Sequence, residues 1–180
     1  MFKSLVHSDR LKYGRSHSLI FCYLLYPSFR FSFWFRLHQS VLHAGKSRVL
    51  RSFLTWCVLR QSVKTGIQIN PGAKIGEALY MPHFGGIVVN PTAVIGKNCY
   101  LSHNVLIGKV HAGKRAGVPI IGDDVFIGTG AVILGNVKIG NNAAIGVNSV
   151  VIDDVPNNAF VAGAPAKVRN LNGACALLGD

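Results

Sequence analysis

The sequence predicts a mainly β protein, a parallel β-helix carrying an N-terminal α-helical cap, and three observations predict it. Aliphatic residues recur at a step of six: Ile69, Ile75 and Met81, then Val89, Ile95, Leu101 and Ile107, then Ile121, Ile127, Ile133, Ile139, Ile145 and Val151. Glycine often follows such a mark directly, as at Gly76, Gly96, Gly122 and Gly140, and a small residue often lies four places on, as at Ala73, Ala93, Cys99, Ala131, Ala143 and Ser149. Residues 1–66 obey neither habit and are basic and aromatic instead.

In the cap, Leu19–Tyr26 predicts a short helix stopped by Pro27, Phe31–His43 a second that breaks near Gly45, and Arg48–Ser62 a third. Along the third, Leu50, Phe53, Leu54, Cys57 and Val58 form an apolar face with Arg51 and Arg60 off it. Residues 1–66 hold eleven Lys/Arg against one acid, Asp9, whereas residues 67–180 hold eight against six. That asymmetry implies attraction to something anionic. Phospholipid head groups and phosphorylated substrates fit it, and no nucleic-acid partner is expected because no reading motif accompanies the charge. The run Leu19 to Tyr26 is far shorter than the roughly 20 residues a bilayer span needs, and no export is expected, since the first ten residues hold no signal-peptide core. Cys22, Cys57, Cys99 and Cys175 form no C-x-x-C pair, so neither a metal site nor a disulfide framework is expected. A cytoplasmic location follows from these two readings.

From residue 67 to about 155, three short strands make one triangular coil of about 18 residues, with aliphatics inward and glycines easing corners. Coils stack at the sheet spacing of about 4.8 Å. An amphipathic helix of period 3.6 cannot produce a strict six. The count slips at "MPHFGGIV", residues 81 to 88, where the step from Met81 to Val89 is eight. Two inserted residues bulge a corner there, and Gly85-Gly86 supply the backbone freedom. His83 then falls on a corner and His103, two places after Leu101, stacks on the same edge one coil later; Asp123 is expected on that column too. Ile107, Ile127 and Ile145 are expected in a different column, whose corners carry Lys109, Thr129 and Val147 and form a separate edge for a long thin ligand. A second slip, "GKVHAGKRAGVP", is glycine-rich and basic and predicts a loop over about 109–120 able to cover a site beside it. Residues 156–180 form a tail that leaves the hexad phase and runs back along the coils.

"GIQINPGAKIG", "PHFGGIVVNPTAVIG", "IGTGAVILGNVKIG", "AAIGVNSVV" and "VAGAPAKV" follow one another in the order and spacing of a known family. Over residues from about 28 to 170 the chain resembles the left-handed β-helix acyltransferases, in particular the serine acetyltransferase branch. The resemblance implies a left-handed coil, a homotrimer or a dimer of trimers, acetyl-CoA in the groove between neighbouring prisms, and a corner histidine acting as general base at the position of His83. An imidazole, with a model-compound pKa of about 6.5, suits proton removal from an acceptor hydroxyl attacking a thioester. Backbone amides at the turns suit the oxyanion.

The resemblance assigns the base's orienting partner to Gln68, where the family has an aspartate. Acceptor contacts fall on Pro82, His103, Asp123 and the loop's His111, and acetyl-CoA contacts on Lys109, Thr129, Gly130, Val147, Lys167 and Arg169, the last two toward the coenzyme's phosphates. The family's aspartate before the base is Pro82 here, and its Arg-His pair in the loop is Gly117-Val118. These departures predict that serine is not the acceptor. They direct the expectation to a sugar hydroxyl in bacterial capsule, O-antigen or exopolysaccharide assembly, with serine O-acetylation or a noncatalytic trimeric scaffold as the alternatives. For the segment "YPSFRFSFWFRLHQS" two roles are open: peripheral contact with an anionic membrane or a lipid-linked intermediate, with Arg30 and Arg36 near phosphates, or packing of the cap. Gly128-Thr129-Gly130 begins like a dinucleotide fingerprint, but Ile133 stands where the third glycine belongs.

Overall fold

A computed structural model describes residues 2–45 and 47–174; Cys175 lies outside the described residues. Four helices precede the first strand: α1 (Phe2–Leu11), α2 (Leu19–Leu25), α3 (Pro27–His43) and α4 (Arg48–Thr65). α1 is an addition to the three expected helices. Pro27 stops α2, as expected, and also opens α3, four residues earlier than predicted, because a proline at the first helical position gives up only an amide that would lack a partner anyway. Gly66 caps α4 with φ +66° and donates its amide to Ser62 O at 2.8 Å.

A buried ion pair fastens the cap to the first coil. Arg36 Nε and Nη2 donate to the two carboxylate oxygens of Asp9 at 2.9 and 3.1 Å, and neither residue is exposed to solvent. The same guanidinium donates to Ile75 O at 2.8 Å and Gly76 O at 2.6 Å. Asp9 accepts from Ser32 Oγ at 2.5 Å and from the Leu79 amide at 2.9 Å. Phe29, Phe31 and Phe35 are fully buried alongside. The segment "YPSFRFSFWFRLHQS" therefore packs the cap, and Arg36 is withdrawn from any lipid phosphate.

The strands wind as a left-handed parallel β-helix with three faces. The first face holds β1 (Ile67–Ile69), β3 (Ile87–Val89), β6 (Leu106–Gly108), β9 (Val132–Leu134) and β12 (Val150–Val151). The second holds β2 (Lys74–Ile75), β4 (Val94–Ile95), β7 (Ile120–Ile121) and β10 (Lys138–Ile139). The third holds β5 (Tyr100–Leu101), β8 (Phe126–Ile127), β11 (Ala144–Ile145), β13 (Phe160–Gly163) and β14 (Ala166–Asn170). Every hexad mark from Ile69 to Val151 is buried, as are Ala73, Ala93, Cys99, Ala131, Ala143 and Ser149 in the narrow interior. Burying each such aliphatic is worth about 1.5–3 kcal/mol. Past residue 155, β13 continues the third face in parallel with β11, and β14 then turns back antiparallel to β13.

Register corrects the expected columns. Val89, Ile107 and Ile133 align on the first face, whereas Leu101, Ile127 and Ile145 align on the third. Ile107 and Ile127 thus belong to different columns. The extruded loop adds eight residues to the coil between them, so a separation that matches one coil at the earlier slip crosses faces here. Among the described residues no helix is long and apolar enough to cross a membrane.

Candidate active site

The eight-residue step places Pro82-His83-Phe84-Gly85-Gly86 at the corner between the third and first faces. Gly85 and Gly86 take φ +103° and +64°, values that bend the chain sharply there. The corner is stacked on its successors by backbone hydrogen bonds. Asn104 N donates to Gly85 O at 3.0 Å, Gly130 N to His103 O at 3.2 Å, and Asn148 N to Thr129 O at 2.8 Å. One edge therefore carries His83, His103, Thr129, Gly130 and Val147 in order. The separate ligand edge expected for Thr129 and Val147 does not exist; both share the histidine edge, because β8 and β11 lie on the third face with β5.

His83 and His103 meet edge to face, with ring centroids 5.7 Å apart and planes at 88°. His83 is exposed, while His103 is half-buried with its Nδ1 buried and without a hydrogen-bond partner. The strand entering the corner is held from behind, since the buried Tyr13 hydroxyl lies 2.9 Å from Met81 O. Burial pushes the Tyr13 phenol well above its ordinary range, so it stays a neutral donor. Phe84, beside His83 and exposed, is a candidate contact that sequence reasoning missed; its signal is a large aromatic left at an inserted corner.

Other predicted residues lie elsewhere. Asp123 is not on the histidine column. It sits at the corner between the second and third faces, where Oδ1 accepts from Lys97 N at 2.7 Å and its own amide donates to Asn141 Oδ1 at 2.8 Å, a ladder that occupies it structurally. Gln68 projects outward from β1 beside Val88, and among the described residues it makes no hydrogen bond to His83. It opens instead into a groove of about 500 Å³ between α4 and the first face, lined also by Val58, Ser62, Val63 and Val88. Lys109 and His111 are exposed at the far edge of the first face, in the extruded loop. That loop is a small hairpin closed by Val110 N to Gly117 O at 3.0 Å and Gly117 N to Val110 O at 2.9 Å. Arg115 ties it down, accepting from Asn136 N at 3.0 Å and pairing with Asp153 at 2.7 Å. Within one chain the loop packs away from the histidines. Lys167 and Arg169 are exposed on β14, with Arg169 Nη2 donating to Ala162 O at 3.3 Å. Among the described residues no group of three or more His, Cys, Asp or Glu is placed to hold a metal ion.

Residues 119–153 match the model of the bacterial transferase hexapeptide family (six repeats). The chain is 42% identical over 109 residues to the serine acetyltransferase of Staphylococcus aureus strain N315, an alignment covering 61% of this chain and 51% of that one. Its fold superposes on soybean serine acetyltransferase solved with serine at a TM-score of 0.79 and 34% identity, covering 93% of this chain and 69% of that one. This chain belongs to the hexapeptide-repeat acyltransferases, in their serine acetyltransferase-like branch. A serine acetyltransferase solved in complex with CoA is similar as well, at a TM-score of 0.74 and 30% identity over 93% of this chain and 67% of that one. The chain spans about half the length of the curated relatives it matches. The comparisons overturn the expectation of a sugar hydroxyl in polysaccharide assembly: relatives at 42% identity and the solved neighbours alike are serine acetyltransferases. Of the four departures that carried that expectation, only Pro82 lies at the histidine corner; Gln68 opens into the α4 groove, and Gly117 and Val118 end the extruded hairpin.

Proposed function

We propose that the chain is a serine O-acetyltransferase of cysteine biosynthesis that uses acetyl-CoA as acyl donor, with His83 as general base. The observation that carries this reading is the exposed imidazole of His83 on an inserted corner, within a chain that aligns along nearly its full length with serine acetyltransferases solved with serine and with CoA. His83 takes the proton from the serine hydroxyl as its oxygen attacks the thioester carbonyl. A carbon–oxygen bond forms, the carbon–sulfur bond breaks, and the imidazolium returns its proton to the departing thiolate. Gln68 carries no charge and stands apart from the base, so His83 works without the carboxylate partner the resemblance implies. Pro82 shapes the acceptor side of the corner, and His103 meets a polar group of the acceptor.

Acetyl-CoA lies along the edge formed by Thr129, Gly130 and Val147, with Lys167 and Arg169 toward its phosphates. Lys109 and His111 face the opposite edge of the first face in their own chain, so they reach a histidine edge only from a neighbouring prism. A homotrimer supplies that geometry, and a location in the cytoplasm supplies the donor.

Thiol release from acetyl-CoA by the purified chain, with and without L-serine and paired with His83→Ala, tests the proposal. Serine-dependent release that falls about 10²–10⁴-fold in the variant is expected. Release indifferent to serine, or unchanged in His83→Ala, overturns it.

A further inference from the structure

α4 presents apolar side chains on two opposite sides. Leu54, Cys57, Val58 and Thr65 are buried against the rest of the molecule. Turned away from them, Val49, Phe53 and Trp56 recur at the four- and three-residue intervals of one helical stripe, with Leu59 and Val63 at its groove-side margin. Val49 is 79% exposed, Phe53 53%, Trp56 54% and Val63 88%. Phe53 and Trp56 stack with centroids 6.2 Å apart, and the Arg60 guanidinium sits 5.4 Å from the Trp56 ring centroid. Arg60 lies within the stripe, Lys64 at one margin and Arg48 beyond Leu59 at the other, all exposed, whereas Arg51 faces α3 beside His38. α4 contains no acid.

We infer that this outer face of α4 docks on an anionic lipid surface, with Phe53 and Trp56 entering the interface and Arg48, Arg60 and Lys64 meeting head-group phosphates. Charge selects the occupant. The single acid of residues 1–66 is Asp9, which is buried and committed to Arg36. A second copy meeting α4 cap to cap would oppose cation to cation with no acid to compensate, whereas a phosphate-bearing surface complements these cations. The inference is independent of the acceptor used at the histidine edge.

The test is cosedimentation of the full chain with extruded vesicles of phosphatidylglycerol and phosphatidylethanolamine, and with phosphatidylcholine alone, at low and high salt. Binding to the anionic vesicles alone, weakened by salt, is expected. Arg48→Gln and Lys64→Gln should each cost about fivefold in partitioning. Phe53→Ser/Trp56→Ser should abolish binding with no change in thermal melting, since both side chains are exposed. Equal binding to phosphatidylcholine, no binding, or binding unaffected by the double variant overturns the inference. So does a fall in assembly mass on ultracentrifugation of that variant, which would mean that α4 is covered by another copy, for instance through the uncharged exposed residues Ile20, Leu24 and Leu25 of α2.

Discussion

Replacing Arg36 by methionine should be among the most damaging single changes in the cap. The substitution keeps the aliphatic stem and removes the guanidinium, so Asp9 loses a two-point partner and retains only Ser32 Oγ and the Leu79 amide. Ile75 O and Gly76 O lose charged donors as well. Stranding one member of a buried ion pair costs about 3–5 kcal/mol. At about 2–4 °C per kcal/mol for a chain of this size, the melting temperature should drop by about 6–20 °C. Calorimetry or urea unfolding measures the loss, and the double change Asp9→Asn/Arg36→Met should cost less than the sum of the single changes, because neither charge is then left alone. A loss below about 1 kcal/mol, the range of an exposed pair, would refute the argument that this pair is desolvated. The proposed serine-dependent turnover should weaken in parallel, since Asp9 and Tyr13 hold the segment from Leu79 to Met81 that delivers His83 to its corner.

Three further outcomes follow from the geometry. Gly86→Ala places a Cβ 3.0 Å from Asn104 Cα, and against its side-chain oxygen, at a φ of +64°; it should destabilise by about 2–3 kcal/mol in urea unfolding, and a cost under about 0.5 kcal/mol would contradict the corner geometry. His38 is held below its ordinary pKa by burial first and by Arg51 second, so the unfolded chain binds the proton more readily; stability should fall as pH drops below about 6.5 and level off below the folded value, and His38→Gln should flatten that slope in melts taken across the range. Burial pushes the Cys99 thiol up to about 12, so it should resist a disulfide reagent at pH 8 until the protein unfolds, and rapid labelling of the native chain at Cys99 would contradict its place in the prism interior.

The prism was legible because its period is enforced by sterics at every mark: Ile133 or Ile145 shifted by one residue would point out of the coil. The paired histidines were legible for the same reason, as two corners one coil apart. Column assignments beyond the extruded loop were not, because hexad counting fixes inward and outward but not which of three faces a strand joins once eight residues leave the coil. That is why Thr129 and Val147 fell on the wrong edge and Asp123 on the histidine edge. The cap was read least well. α1 owes its place to Asp9 and Val6, whose partners lie far along the chain, and nothing local in "FKSLVHSDRL" announces Arg36 as the recipient of that carboxylate.

The two departures from six have opposite consequences. The shorter, at residues 81–88, keeps its insertion at the corner, where Gly85 O still accepts from Asn104 N, so the insertion re-aims His83 while the stack continues beneath it. The longer, at 109–120, leaves the coil at the other edge of the first face, closes on itself between Val110 and Gly117, and is pinned to the next coils through Arg115. One slip therefore exposes His83, and the other carries Lys109 and His111 away from it. The triangular section keeps these features apart within one chain, and in the proposed trimer it is a neighbouring prism that brings Lys109 and His111 to a histidine edge.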